Sequence, residues 1–233
     1  MSRKVVTDVY HFMGGGIIPA TVVSNGPWKK TITGAAPPTC ALSGGSAVLA
    51  LTSASQVQNV CMDFGDALCY DVDDLVAARF WVHTPVAIGD DVTARFGFAG
   101  ARNDEPDAIA QSLFFGLDGD ANLIVESDGS AAANEVAATA TGQVLGTSVK
   151  LCEFDFKSGT FMQAPPAVSL GGKHQIIASV QDVNGSKRRV ASGVRLNMSD
   201  YAGSLQLYAQ IQKTSATDVG SLGIKRIEVE RYE

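Results

Sequence analysis

Apolar and polar residues alternate with a period of two along most of this chain, in short runs that each end in Gly, Pro, Asn or Asp. The block from Asp74 to Glu126 shows it best. Leu75–His83 leads into the turn Pro85-Val-Ala-Ile-Gly-Asp-Asp91, residues 92–100 follow, and then comes the loop Ala101-Arg-Asn-Asp-Glu-Pro-Asp107. Residues 109–117 are closed by Asp118-Gly119-Asp120, and residues 122–126 return. Successive side chains of a strand point to opposite faces, so this period predicts strands with one face on a core. Short strands at even spacing, separated by turn residues, predict an all-β, antiparallel two-sheet sandwich.

The same pattern extends in both directions. Residues 21–23 and 30–33 read as short strands around Ser24-Asn-Gly-Pro27, and Ala35-Ala-Pro-Pro38 reads as a connector, because proline donates nothing to a ladder. Residues 47–51 and 57–64 follow, the latter with Val60, Met62 and Phe64 on one face. Residues 127–149 are rich in Ala, Gly, Ser and Thr and predict a loop plus one edge strand rather than a helix. Residues 150–156 alternate, placing Cys152 with Phe154 and Phe156 as small and large core residues. Residues 176–182 and 189–192 flank Val183-Asn-Gly-Ser186, where Asn-Gly predicts a type I′ hairpin. Residues 205–213 alternate with Gln mostly on one side, and residues 222–232 close the chain.

Residues 1–16 read as a separate arm ahead of a single domain over residues 17–233. Val5, Val6, Val9 and Phe12 give the arm apolar content, and Gly14-Gly-Gly16 detaches it. Such a segment is expected to order on a neighbouring subunit's surface, where burial offsets the cost of ordering.

Composition narrows the function. An apolar fraction of 45% and a mean hydropathy of +0.10 suffice for a large core. The charged fraction of 18% lies below the usual quarter or so, which suggests a surface partly covered by partners. A net charge of −6 and a pI near 5.0 argue against binding nucleic acid through phosphates. The four cysteines form no C-x-x-C pair, so a zinc ribbon or redox dithiol is not expected, and a reducing compartment is. Met1-Ser-Arg-Lys-Val-Val-Thr-Asp8 carries charge without an apolar stretch after it, and no apolar run approaches a membrane span of about 18 residues. The expectation is a soluble protein.

Candidate chemistry is sparse. Asp118-Gly-Asp-Ala-Asn122 opens like a calcium loop, but Leu123 and Gly129 stand where Gly and Glu are required, so a hairpin turn explains it better. Glu228 and Glu230 would share a strand face roughly 6.5–7 Å apart, near the spacing of glycosidase carboxylates. Against that reading, aromatic residues make up 7% and tryptophan only Trp28 and Trp81, few platforms for sugar rings. A solvated strand face is the expectation there. His11, His83 and His174 sit in no paired spacing, no G-x-S-x-G elbow exists, and Gly14-Gly-Gly16 lacks a strand–Gly–helix context. No catalytic, cofactor-binding or metal-ligating residue is assigned from the sequence.

Gly65-Asp-Ala-Leu-Cys-Tyr-Asp-Val-Asp-Asp-Leu75, Phe96-Gly-Phe-Ala-Gly-Ala-Arg-Asn-Asp-Glu-Pro-Asp-Ala-Ile109, Leu117-Asp-Gly-Asp120, Val125-Glu-Ser-Asp-Gly129 and residues 205–230 carry a resemblance. In these segments the chain resembles the concanavalin/laminin-G-like jelly rolls encoded by tailed bacteriophages. The resemblance implies a non-enzymatic virion protein on the capsid exterior, of the cement or decoration type. Its partner would be the major capsid protein, its state a homo-oligomer such as a trimer, and no cofactor would be needed. Similar sandwiches bind or cleave glycans, so the alternatives are a glycan-binding module of a tail or fibre and, third, a glycoside hydrolase.

Overall fold

The computed structural model describes residues 3–13, 18–20, 27–156, 172–183, 188–189 and 195–233. Its strands are β1 (Val5–His11), β2 (Lys29–Thr33), β3 (Thr39–Ser43), β4 (Ser46–Ala50), β5 (Gln58–Asp63), β6 (Tyr70–Asp71), β7 (Leu75–His83) and β8 (Val92–Ala99). The second half adds β9 (Ser112–Asp118), β10 (Asn122–Asp128), β11 (Val136–Val144), β12 (Lys150–Asp155), β13 (Ile177–Asp182), β14 (Arg188–Arg189), β15 (Ser204–Lys213) and β16 (Ser221–Tyr232). Among the described residues these form two eight-stranded antiparallel sheets, and helix is limited to three 3₁₀ turns. Sheet I runs β14-β13-β12-β7-β16-β4-β3 with β1 also on β16; sheet II runs β11-β10-β9-β8-β15-β5-β2 with β6 also on β15. The all-β two-sheet sandwich expected from the alternation is the fold observed. None of the described helices is long and apolar enough to cross a membrane.

The alternation explains the layering. Ala78, Phe80 and Val82 of β7 and Cys152 and Phe154 of β12 face Phe96 and Phe98 of β8 and Phe115 of β9 across one core. Phe154 stacks on Phe115 with centroids 4.4 Å apart, and Phe80 meets Phe96 at 5.8 Å, so rings from both sheets interlock. Each such buried side chain stabilises the fold by about 1.5–3 kcal/mol relative to exposure. The residues between them in sequence, Arg79 and Trp81 or Arg95 and Gly97, are turned to the outer faces.

Three expectations change. The segment expected as an arm carries β1, which pairs antiparallel with β16 from Val5↔Tyr232 to His11↔Arg226. The physical reason is the length of β16. Its first half pairs with β4, and its second half would be an open ladder without β1. Tyr10 packs on Trp28 at 5.5 Å and on Phe64 at 5.6 Å, and Phe12 enters the core, so the aromatic residues of this segment pack on the chain itself, while Val5 and Val9 stay exposed. Second, the strand expected from residue 109 begins at Ser112, because Pro106–Ala108 forms a 3₁₀ turn and Ile109 packs inward from a loop. Third, β3 was not anticipated; it pairs with β4 through the Gly44-Gly45 turn, whose φ values of 58° and 73° suit a type I′ hairpin. The triple glycine, residues 21–26 and Asn184-Gly185 lie outside the described residues.

Candidate functional site

The ladders of sheet II fix which side chains share its outer face. One row across β9, β8, β15, β5 and β2 reads Asp118, Thr93, Gln212, Asn59, Thr33. The next reads Gly116, Arg95, Gln210, Cys61, Thr31, and the third Phe114, Gly97, Tyr208, Asp63, Lys29. Amides, a guanidinium and hydroxyls therefore sit side by side.

A loop lies on this face. Its Ile109 packs on Phe114, Tyr208, Cys61 and Ala99 in a small cluster separate from the main core. Tyr208 Oη donates to Asn103 O at 2.9 Å, and Asn59 Nδ2 and Gln210 Nε2 both donate to Asp104 O, at 2.9 and 2.7 Å. The charged loop that sequence alone places in solvent is thus pinned to the sheet by its backbone carbonyls. It divides the face into two cavities. One of about 320 Å³ is lined by Asn59, Thr93, Arg95, Glu105 and Gln212, and one of about 250 Å³ by Ser112, Glu126, Asp128, Glu135 and Val136.

Arg95 stands between them. Its side chain is 4% exposed. Nε donates to Glu126 at 2.5 Å and Nη1 to Asp118 at 2.6 Å, while Asp107 of the loop lies 3.5 Å from Nη2. One glycine makes room for this, and a second lets the backbones of β8 and β9 approach closely. A Cβ on Gly116 would sit 2.7 Å from Arg95 Nη1, so the guanidinium crosses β9 only because that position has no side chain. Gly97 has φ 149°, and a Cβ there would lie 2.1 Å from Leu113 O. Phe114 and Tyr208 pack across it with centroids 5.5 Å apart. Burial raises the Glu126 carboxyl above its ordinary value, only partly countered by Arg95. Asn59 Oδ1 and Gln210 Oε1, both buried, have no hydrogen-bond donor.

The outer face of sheet I is also polar. Rows across β12, β7, β16 and β1 read Leu151, Trp81, Arg226, His11 and then Glu153, Arg79, Glu228, Val9. Arg79 donates to Glu153 at 3.0 Å and to Glu230 at 2.5 Å and lies 3.7 Å from Glu228. Glu228 and Glu230 do share one face, as the alternation predicts, and both are held by a guanidinium.

The remaining candidates separate. Asp118-Gly119-Asp120 is the β9–β10 turn, with Gly119 at φ 67° and Asp120 Oδ1 accepting from Asn122 N at 2.7 Å. Asp118 points away from that turn to Arg95. No three His, Cys, Asp or Glu side chains among the described residues converge to hold a metal ion. His83 faces Ser46, Nε2 to Oγ 3.1 Å, and His174 ends a 3₁₀ turn. Cys40, Cys61 and Cys152 are buried free thiols and Cys69 an exposed one. Sequence reading missed Arg95, Asn59 and Gln210 as a group; the available signal was the row of Gln residues on one side of 205–213.

No family model and no curated protein matches this chain. Solved structures do. The catalytic domain of an endo-1,3-β-glucanase (laminarinase) from Thermotoga petrophila RKU-1 superposes with a TM-score of 0.60 at 10% identity, covering 100% of this chain and 98% of that one. A protein of unknown function from Shewanella oneidensis MR-1 gives 0.58 at 12% identity, over 99% and 88%. The carbohydrate recognition domain of Emp47p gives 0.53 at 13% identity, over 91% of each. At these identities the likeness is one of fold. The chain is a two-sheet jelly-roll sandwich of the architecture found in lectins and glucanases.

Proposed function

We propose that this chain is a carbohydrate-binding module that holds a neutral glycan on the outer face of sheet II, in the cavity beside Asn59, Arg95 and Gln212. The observation that carries this reading is the amide-and-guanidinium row walling a cavity of about 320 Å³. A sugar hydroxyl both donates and accepts, and primary amides offer both functions in one plane. The loop is pinned by Asn59 and Gln210 before any ligand arrives, so little ordering entropy is lost on binding. Preformed pockets with a few fixed polar groups are the usual form of small-ligand sites. The fold shared with a carbohydrate recognition domain and a glucanase supports the reading by analogy.

The paired carboxylates favour binding without cleavage. Glycoside hydrolysis needs one carboxyl free to give a proton and another free to attack or to activate water. Here Glu126 and Asp118 are bonded to Arg95, and Glu153 and Glu230 to Arg79.

The test is a calorimetric screen of neutral oligosaccharides (β-glucan, mannan and galactan fragments), with reducing ends assayed in parallel. Expected are saturable binding, no new reducing ends, and about tenfold weaker affinity for Gln212→Ala, the effect of one hydrogen bond of roughly 1.4 kcal/mol. Release of reducing ends would overturn the binding-only reading. Saturable attachment to capsid shells with no glycan bound would overturn it in favour of the shell-decorating role that the resemblance implies.

A further inference from the structure

We infer that the outer face of sheet I carries a second, chemically different site, which takes a carboxylate borne on a sugar ring, as in a terminal uronic acid residue. It does not depend on the neutral-glycan reading of sheet II, and it lies on the opposite side of the sandwich. The site is a cavity of about 240 Å³ lined by His11, Met13, Gly45, Trp81, Lys225 and Arg226.

Two features of the backbone build it. The β7–β16 ladder slips between Ile224 and Arg226, leaving Lys225 as the extra residue of a bulge. A bulge re-aims the side chains around it, and here it presents two consecutive cations at one cavity. The β1 strand then brings His11 directly opposite Arg226, so Trp81, Arg226 and His11 form one cross-strand row.

The chemistry of the lining selects the ligand. The Arg226 guanidinium lies over the Trp81 ring, 4.9 Å from its centroid, and forms the floor with it. Arg226 also donates to Glu228 through Nη2, but its buried Nε has no acceptor. Lys225 is exposed, and among the described residues neither it nor His11 has an ion-pair partner. In a chain of net charge −6 this spot carries two cations, Lys225 and Arg226, of which only Arg226 is paired with a carboxylate, that of Glu228. An anion is the complement. Met13, 75% exposed, adds an apolar wall beside this floor, which suits the C–H face of a pyranose better than a bare inorganic ion. Rings that offer one polar edge and one apolar face match sites built in this way. The cavity opens on the sheet surface, so a chain end can enter while the rest of the polymer stays outside.

The two tryptophans, Trp28 and Trp81, give two indole N–H signals, and Trp28, packed on Tyr10 and Phe64, serves as an internal control. The full chain is titrated with a glucuronate-terminated oligosaccharide, with a neutral glucose oligomer of equal length, and with benzoate. Assignment uses Trp81→Phe. The uronate is expected to move the Trp81 signal saturably and leave Trp28 in place, and Lys225→Glu is expected to weaken it at least tenfold. Lys225 is exposed, so that variant keeps its melting temperature and reports the site rather than the fold. Added salt is expected to weaken the uronate several-fold, as exposed charges are screened. A Trp81 signal unmoved by millimolar uronate, an equal response to the neutral oligomer, or an unchanged affinity in Lys225→Glu would each overturn the inference. Binding of benzoate alone would also overturn it and reassign the cavity to aromatic acids.

Discussion

Arg95 on sheet II and Arg79 on sheet I are each surrounded by three carboxylates, yet one is 4% exposed and the other 26%. Arg95 lies across a glycine and beneath a pinned loop; Arg79 lies on the outer face of β7 beside Glu153 and Glu230. The comparison teaches that the same ion cluster serves different ends according to what covers it. Under cover, each charge needs its partner and the group becomes a rigid wall between two cavities. On sheet I the cover falls on the carboxylates instead: Glu153 and Glu228 are 9% and 14% exposed around the more accessible guanidinium, whereas Asp118 and Asp107 beside Arg95 are 41% and 78% exposed.

The largest effect that sharpens this contrast comes from the backbone. Gly97→Val is expected to unfold the protein or lower its stability by more than about 3 kcal/mol, because no side chain fits 2.1 Å from Leu113 O at φ 149°. Thermal denaturation measures it, and a variant melting near the wild type would contradict the packing described for Phe114 and Tyr208. Next, Arg95→Met is expected to cost about 3–5 kcal/mol, by leaving Glu126 buried without its cation. Arg79→Met leaves the buried Glu153 without its cation and is expected to be destabilising, but less than Arg95→Met, because the guanidinium removed is the more exposed of the two. Equal losses in urea denaturation would break the comparison.

A smaller effect distinguishes the faces by sign. Glu126 has a raised folded-state value, set first by burial and opposed by Arg95. As pH falls through that value the native state takes up a proton before the unfolded chain does. Glu126 therefore adds stability on acidification until the pH passes below its ordinary value, and Glu126→Gln removes that gain. His83 on sheet I is shifted down, by burial and then by the Lys225 charge. As pH falls below the ordinary 6.5 the unfolded chain takes up the proton first, so stability is lost until the pH passes below the folded-state value. His83→Gln is expected to lack that loss. Stability-versus-pH curves of the two variants, each subtracted from the wild type, should slope in opposite directions.

Much of the fold was legible because alternation is local. Phe80, Phe96, Phe154 and Leu207 announce an inward face from their own neighbours, and their strands lie close to where the pattern put them. What was not legible depends on distant pairing. Val5–His11 reads as an arm until β16 is known to extend past β4, and residues 101–107 read as a solvated loop until Asp104 O is seen bonded to Asn59 and Gln210. The candidate site failed for the same reason. Arg95 stands 23 positions from Asp118 and 31 from Glu126, and only the register of β8, β9 and β10 brings them together. Gly116, whose missing side chain lets them meet, carries no signal at all in sequence.

The central claim is that neutral glycan binding belongs to sheet II and not to sheet I. Its most direct test is a calorimetric titration of the tightest neutral oligosaccharide against the wild type, Gln212→Ala and Trp81→Phe. Gln212→Ala is expected to bind about tenfold more weakly and Trp81→Phe to bind as the wild type does. Loss of binding in Trp81→Phe with Gln212→Ala unaffected would contradict it.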